Sequence, residues 1–307
     1  MKEVMKAKTE HQRGVLAIVL LTVCYGILPL IPRYLSTSFE LFQQVYLRLA
    51  TGFLLSFFIF RKQIDIPKLI KLPIKEWGFV ALRAFVYYFL GVILYTQALL
   101  LTKISNVAFI GAIPMTAILG FIILKEKFNT KKALLVSLSF LGVVSISVQN
   151  FSNLLSFGRG EIVALLSTLF ISLGFISRKG QTKAINDREV ATLMLLFATL
   201  FVFAGSVIKG EGRPTQGWYL GVILALLLGG LLNAGVSFLM NYGFARLDAV
   251  LAGNLIALDP VFASLFAFLV FKELPITKEV FGGILIISGA IMMDRLEAKQ
   301  RSWVNVS

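Results

Sequence analysis

The chain divides into about ten apolar runs, each close to the roughly 20 residues that a helix needs to cross a hydrocarbon core about 30 Å thick. They lie near residues 14–32, 40–60, 77–101, 104–124, 131–149, 160–178, 189–208, 217–244, 249–271 and 278–294. The connectors between them are short and carry Pro, Gly, Asn and Lys, and none is long enough to hold a separate water-soluble domain. Composition points the same way. The chain is 57% hydrophobic and 15% charged, with a mean hydropathy of +0.84, which leaves too little polar surface to cover a water-facing core. The expected fold is an all-α integral membrane protein with ten transmembrane helices.

Thirty Lys and Arg against sixteen Asp and Glu give a net charge of +14. In a soluble chain that excess would suggest a nucleic-acid partner. Here the basic residues sit in the connectors, where they orient helices in a bilayer, so no nucleic acid is expected. Twenty-one of them fall on the side of the amino terminus and seven on the other, with Arg48 and Arg83 inside apolar runs. That bias predicts both ends in the cytoplasm, with a polar leader over residues 1–13 and a tail over 295–307, and places the protein in the cytoplasmic membrane. The leader MKEVMKAKTEHQRG runs into the first apolar stretch without an A-x-A-like cleavage site, which reads as a retained span. Cys24 is the sole cysteine and His11 the sole histidine. No disulfide, metal site or cofactor is expected from that set, and no catalytic residues stand out. A Gly-rich Lys loop for ATP is missing too.

The two halves resemble each other. IPMTAILGFIILKEKFNTKKALLVSLSFLGVVSI, from Ile113, matches DPVFASLFAFLVFKELPITKEVFGGILIISGAIMM, from Asp259. Lys125-Glu126 aligns with Lys272-Glu273, Thr130 with Thr277, Gly142 with Gly289, and Pro114 with Pro260. Five spans per half is an odd number, so the second half enters from the opposite side. The result is two inverted five-helix repeats, over residues 14–149 and 160–294, joined by a connector at 150–159. Secondary transporters are built this way, with the site near the midplane between repeats.

On Arg48, the run from Gln97 to Glu126 with Pro114 and its closing Lys-Glu, and the second-half echo from Asn241 to Glu273, the chain resembles the drug/metabolite transporter superfamily and its ten-span EamA-like permeases. The resemblance covers roughly residues 14–294. It implies movement of amino acids or other small metabolites across the cytoplasmic membrane, often outward. It implies no individual substrate contact.

A charge at bilayer depth is costly and usually faces a cavity or a partner. Helix rise places Arg48 about 12 Å and Asp259 about 16 Å into the core from opposite faces, so both are expected near the midplane as an ion pair. In one reading the pair only holds helices together. In the other, Asp259 binds a proton or a cationic group while Arg48 holds a substrate carboxylate. Whether burial or a neighbouring Arg governs the state of Asp259 stays open. Arg83 lies nearer the inner face, where its stem can snorkel. Pro114 and Pro260 remove backbone hydrogen bonds at matching depths, and paired breaks of this kind point to a transporter cavity. Gln97, Asn241 and Asn254 are candidate cavity polar groups, although Asn254 lies about 140° around a helix from Asp259. Tyr88 and Tyr95, seven apart, share a face. Gly282 and Gly289, with Gly142, offer a close packing face. The expected function is a secondary transporter working by alternating access on a small solute within the bilayer, with a proton or other ion for coupling and export as the expected direction. The alternatives are a receptor or scaffold, or an intramembrane enzyme. The latter would want clustered acidic or His residues at one depth, and Asp259 is the one acidic residue expected mid-span.

Overall fold

A computed structural model gives the fold and describes residues 2–126, 129–147, 158–271, 274 and 276–304. Lys272 and Glu273, which close the second copy of the repeat, and most of the 150–159 connector lie outside these residues. No strand occurs among the described residues. The helices of the first half are α1 Lys2–Ile27, α2 Leu30–Leu35, α3 Leu41–Phe60, α4 Ile66–Ile70, α5 Ile74–Ala84, α6 Ile93–Leu101, α7 Ile104–Gly111, α8 Met115–Ile122 and α9 Thr130–Ser147. A π-helical turn, Phe85–Val92, joins α5 to α6. The second half holds α10 Arg159–Ile176, α11 Asp187–Ile208, α12 Leu220–Arg246, α13 Ala249–Ile256, α14 Asp259–Phe271 and α15 Thr277–Val304.

By length and apolar composition, seven helical stretches among the described residues can cross a membrane: Thr9–Leu35, Leu41–Phe60, Ile74–Leu101, Arg159–Gly180, Asp187–Ile208, Leu220–Arg246 and Ala249–Phe266. The other three apolar runs are also helical. One is the broken pair α7 and α8, and the others are α9 and α15. The protein is therefore a multi-pass, all-helical chain whose expected ten spans are matched by length and composition at seven.

The polar leader is not a free extension. Residues 2–13 continue α1, whose His11 is buried and bonds Asp294 of α15 through Nε2 at 2.7 Å. Nearby, buried Lys132 of α9 pairs with Glu297 of α15 at 2.9 Å.

Both prolines stand at helix starts. Pro114 precedes α8, after a break at Ala112 and Ile113, and Ile113 N donates to Ile110 O at 3.1 Å. Ile110 O, four residues before Pro114 and so without the donor that a continuous helix would give it, thus gains a partner. Pro260 is in the first turn of α14, where its missing N–H has no intrahelical partner to lose. The break there falls earlier, at Ala257 and Leu258. These are two helix pairs meeting at irregular joints, not two kinked helices.

Helices α9 and α15 cross backbone to backbone. A Cβ added at Gly142 would come within 2.6 Å of Gly282 O, and one at Gly282 within 2.6 Å of Gly142 O. Gly289 lies against Ser139 Oγ and Leu135 O of α9. The glycine face expected from the sequence is formed. Overpacking such a contact costs about 1–3 kcal/mol. Gly142→Val is expected to lower the thermal midpoint of detergent-solubilised protein. Gly78→Ala, with nothing within 4 Å of the added carbon, should leave it unchanged, and an equal loss in both variants would refute the close crossing.

Candidate functional site

The two helix joints face one internal cavity with about 140 Å³ of room for the centres of water-sized molecules. A single water needs only about 10–15 Å³ by this measure, so the space suits a small solute. Its walls come from both halves. The first contributes Tyr25 and the tyrosines around the π turn together with the joint at Ile113 and Pro114, and the second contributes Ser172, Asn233 and the joint from Asn254 to Pro260.

The π turn shapes the aromatic wall. Seven-residue spacing selects Tyr88 and Tyr95, and both line the cavity, but the wider turn also brings Tyr87 to the wall. Irregular turns of this type are rare and recur at functional sites. Tyr87 packs edge-on to Tyr88 with ring centroids 4.7 Å apart, and its hydroxyl meets that of Tyr25 at 3.0 Å. Close approach of α10 fixes it. A Cβ on Gly174 would lie within 2.6 Å of Tyr87, and Ser167 Oγ donates to Gly91 O at 3.0 Å within the π turn.

Asp259, on the cavity wall, forms no ion pair or hydrogen bond among the described residues. Tyr25 and Tyr95 line the same cavity. Asn254 is 3% exposed and Ser139 is 1% exposed, both line the cavity, and their side-chain polar atoms lack partners among the described residues. Thr116 Oγ1 donates to Ser172 Oγ at 3.0 Å, linking α8 to α10 beside the same space.

The expected ion pair between Arg48 and Asp259 is not formed. Arg48 is 2% exposed and donates through Nε to Gln44 O at 3.2 Å and through Nη2 to Thr96 Oγ1 at 3.3 Å. It is absent from the cavity lining, to which Tyr95 and Asp259 both belong. The physical reason is that equal depth along a bilayer normal does not fix azimuth, and the side chain of Arg48 finds neutral acceptors first. Arg83 does not snorkel either. It is 1% exposed and donates to Ser177 Oγ (3.1 Å), Gln181 Oε1 (3.3 Å) and Asn241 Oδ1 (2.8 Å).

That clamp accounts for Asn241, whose Nδ2 donates to Ser237 O at 2.8 Å and whose own carbonyl accepts from Arg178 Nε at 3.0 Å. Neither Asn241 nor half-buried Gln97 lines the cavity. Asn254 and Asp259 do, despite their angular separation on a continuous helix, because the joint between them resets the helical phase. Sequence reasoning passed over Tyr25, Tyr87, Ser139 and Ser172 as cavity groups. Only the crowding of Tyr87 beside Tyr88 offered a signal.

The half-helices are tied together. Lys125 adopts a left-handed backbone (φ 53°) at the end of the α8 segment, and Glu126 N returns to Gly120 O at 3.2 Å, as in a helix-ending turn. This aims the Glu126 carboxylate at α13, where it accepts from Ala249 N at 2.7 Å and Val250 N at 3.1 Å.

At a hydrogen bond to a charged group, roughly 1.5–3 kcal/mol is at stake. Asn241→Ala is therefore expected to lower thermal stability by about that amount while leaving ligand affinity at the cavity within about twofold. A variant of wild-type stability that has lost ligand would return Asn241 to the site.

Three likenesses place the chain among known proteins. A model described as the EamA-like transporter family matches residues 12–148 and again residues 158–294. A Synechocystis sp. protein described as an uncharacterized transporter is 26% identical over 250 residues, spanning 76% of this chain and 70% of that protein. A solved crystal structure superposes with a TM-score of 0.73 over 95% of this chain and 98% of that one, at 15% identity, a likeness of fold alone.

Proposed function

Since the chain belongs to the EamA-like transporter family, and so is a membrane transporter, we propose that it is a secondary carrier of one small solute, working by alternating access. Its ten spans form two inverted five-helix repeats, with the α7–α8 pair, α9 and α15 completing the seven spans matched by length and composition. Both termini face the cytoplasm, as the Lys and Arg bias supports, and the membrane is the cytoplasmic one. Export is the direction we favour, since the permeases that the chain resembles often move metabolites outward.

The observation that carries the reading is the Asp259 carboxylate, unpaired among the described residues, in a cavity walled by both halves at their two helix joints. A carboxylate at this depth without a partner among the described residues has a role that packing does not explain. Asp259 binds a proton or the cationic group of the solute, and its occupancy decides which arrangement of the two halves is favoured. A ligand moves such an equilibrium only through different affinity for the two states, and a lone carboxylate that is solvated in one state and enclosed in the other supplies that difference. Arg48 and Arg83 take no part in solute contact in this scheme; they brace the helices that surround the cavity.

The test is solute flux in liposomes. Wild-type protein is expected to carry at least one solute of a metabolite panel in response to an imposed gradient, and Asp259→Asn to abolish gradient-coupled flux. Undiminished coupled flux in Asp259→Asn, with its pH dependence retained, would remove Asp259 from the mechanism.

A further inference from the structure

The charge inventory of the cavity narrows the solute class, on the reading that this cavity is the carrier's solute site. Among the described lining residues, Asp259 is the one acidic side chain, and there is no Lys, Arg or His. The two arginines buried within the apolar runs are committed elsewhere: Arg48 to Gln44 O and Thr96 Oγ1, Arg83 to Ser177, Gln181 and Asn241. Four tyrosines, Tyr25, Tyr87, Tyr88 and Tyr95, share the walls with that carboxylate.

We propose that the cavity accepts a small organic cation, an amine in its ammonium form on an aromatic or apolar body, in preference to the zwitterionic amino acid built on the same body. Aromatic faces attract ammonium groups, most strongly where water is excluded, and the Asp259 carboxylate supplies the full countercharge. A solute carboxylate finds no such partner. It would shed water into a cavity whose one ionisable acid has its own sign, and an unpaired buried charge is strongly disfavoured. Asn254 and Ser139 can donate hydrogen bonds to it but cannot neutralise it. The N-terminus of α8 offers only the partial positive charge of a helix end. The wall thus reads the amine and penalises the acid, so the cavity distinguishes an amine from its parent amino acid by the presence of one carboxylate.

Three probes with one aromatic body separate the possibilities: phenethylamine as the cation, phenylalanine as the zwitterion and 3-phenylpropionate as the anion. Binding to the full-length chain in nanodiscs is measured by calorimetry at neutral pH. Phenethylamine is expected to bind at least tenfold more tightly than phenylalanine, with 3-phenylpropionate the weakest. Asp259→Asn should weaken phenethylamine at least tenfold while leaving the size-exclusion profile unchanged. Tyr95→Leu should weaken it and Tyr95→Phe should not, which keeps the test intact if Asp259→Asn misfolds. Phenylalanine binding as tightly as phenethylamine, no phenethylamine binding at millimolar concentration, or undiminished binding in a folded Asp259→Asn would each overturn the inference. Flux measurements separate it from the carrier reading. Transport of some solute without phenethylamine binding overturns the cation site alone, whereas phenethylamine binding with no flux of any solute upholds the cation site and removes carriage.

Discussion

A backbone amide that leaves a helix inside a bilayer has no water to bond, so helix breaks at that depth survive only where protein or an internal aqueous space surrounds them. This constraint organises the molecule. The breaks at Ala112–Ile113 and Ala257–Leu258 cannot face lipid, and the other helices close around them. The cavity is the space left between the two joints. Some of the polar groups that line it satisfy the rule through one another, as Thr116 does with Ser172, and Ile110 O recovers a donor within its own joint. Packing elsewhere follows suit. Glycines let α9 and α15 close to backbone contact, and Gly174 lets α10 press against Tyr87, so the walls stay dense up to the edge of the space they enclose.

The charges sort by the same logic. Arg48 and Arg83 are long enough to reach neutral acceptors, Arg48 on its own helix and at Thr96 of α6, and Arg83 at Ser177, Gln181 and Asn241. Asp259 has a short side chain at the start of a half-helix and reaches no donor among the described residues. Closer to the ends of the helices, buried charges are paired in the ordinary way, as in Lys132 with Glu297 and Arg178 with Asp187. Among the described residues, the contrast between these paired charges and Asp259 sets the cavity apart from the rest of the polar interior.

Much of this was legible in the residues. Apolar run length, the Lys and Arg bias and the internal repeat identify a helical membrane chain, and matched prolines mark where its helices are interrupted. The glycine face of α9 and α15 was legible because a seven-residue spacing translates directly into one side of a regular helix. What escaped was whatever depends on azimuth between helices. Depth along the membrane normal put Arg48 beside Asp259, yet rotation of α3 turns it toward Thr96. The 140° between Asn254 and Asp259 assumed a continuous helix, and the joint cancels it. Tyr87 escaped because a π turn departs from the period on which facing was judged. Regular geometry can be read from spacing, and irregular geometry, such as the joints that line the cavity, cannot.

The carboxylate of Glu126 has a consequence for how the chain is assembled. It comes from the first half, but the amides it caps, at Ala249 and Val250, open a helix of the second. Until that glutamate arrives, α13 begins with unpaired donors in a poorly hydrated place. The two halves resemble each other in sequence, yet this contact makes the second depend on the first for one helix start. A fragment cut at the midpoint would therefore lose the cap on α13 as well as a cavity wall.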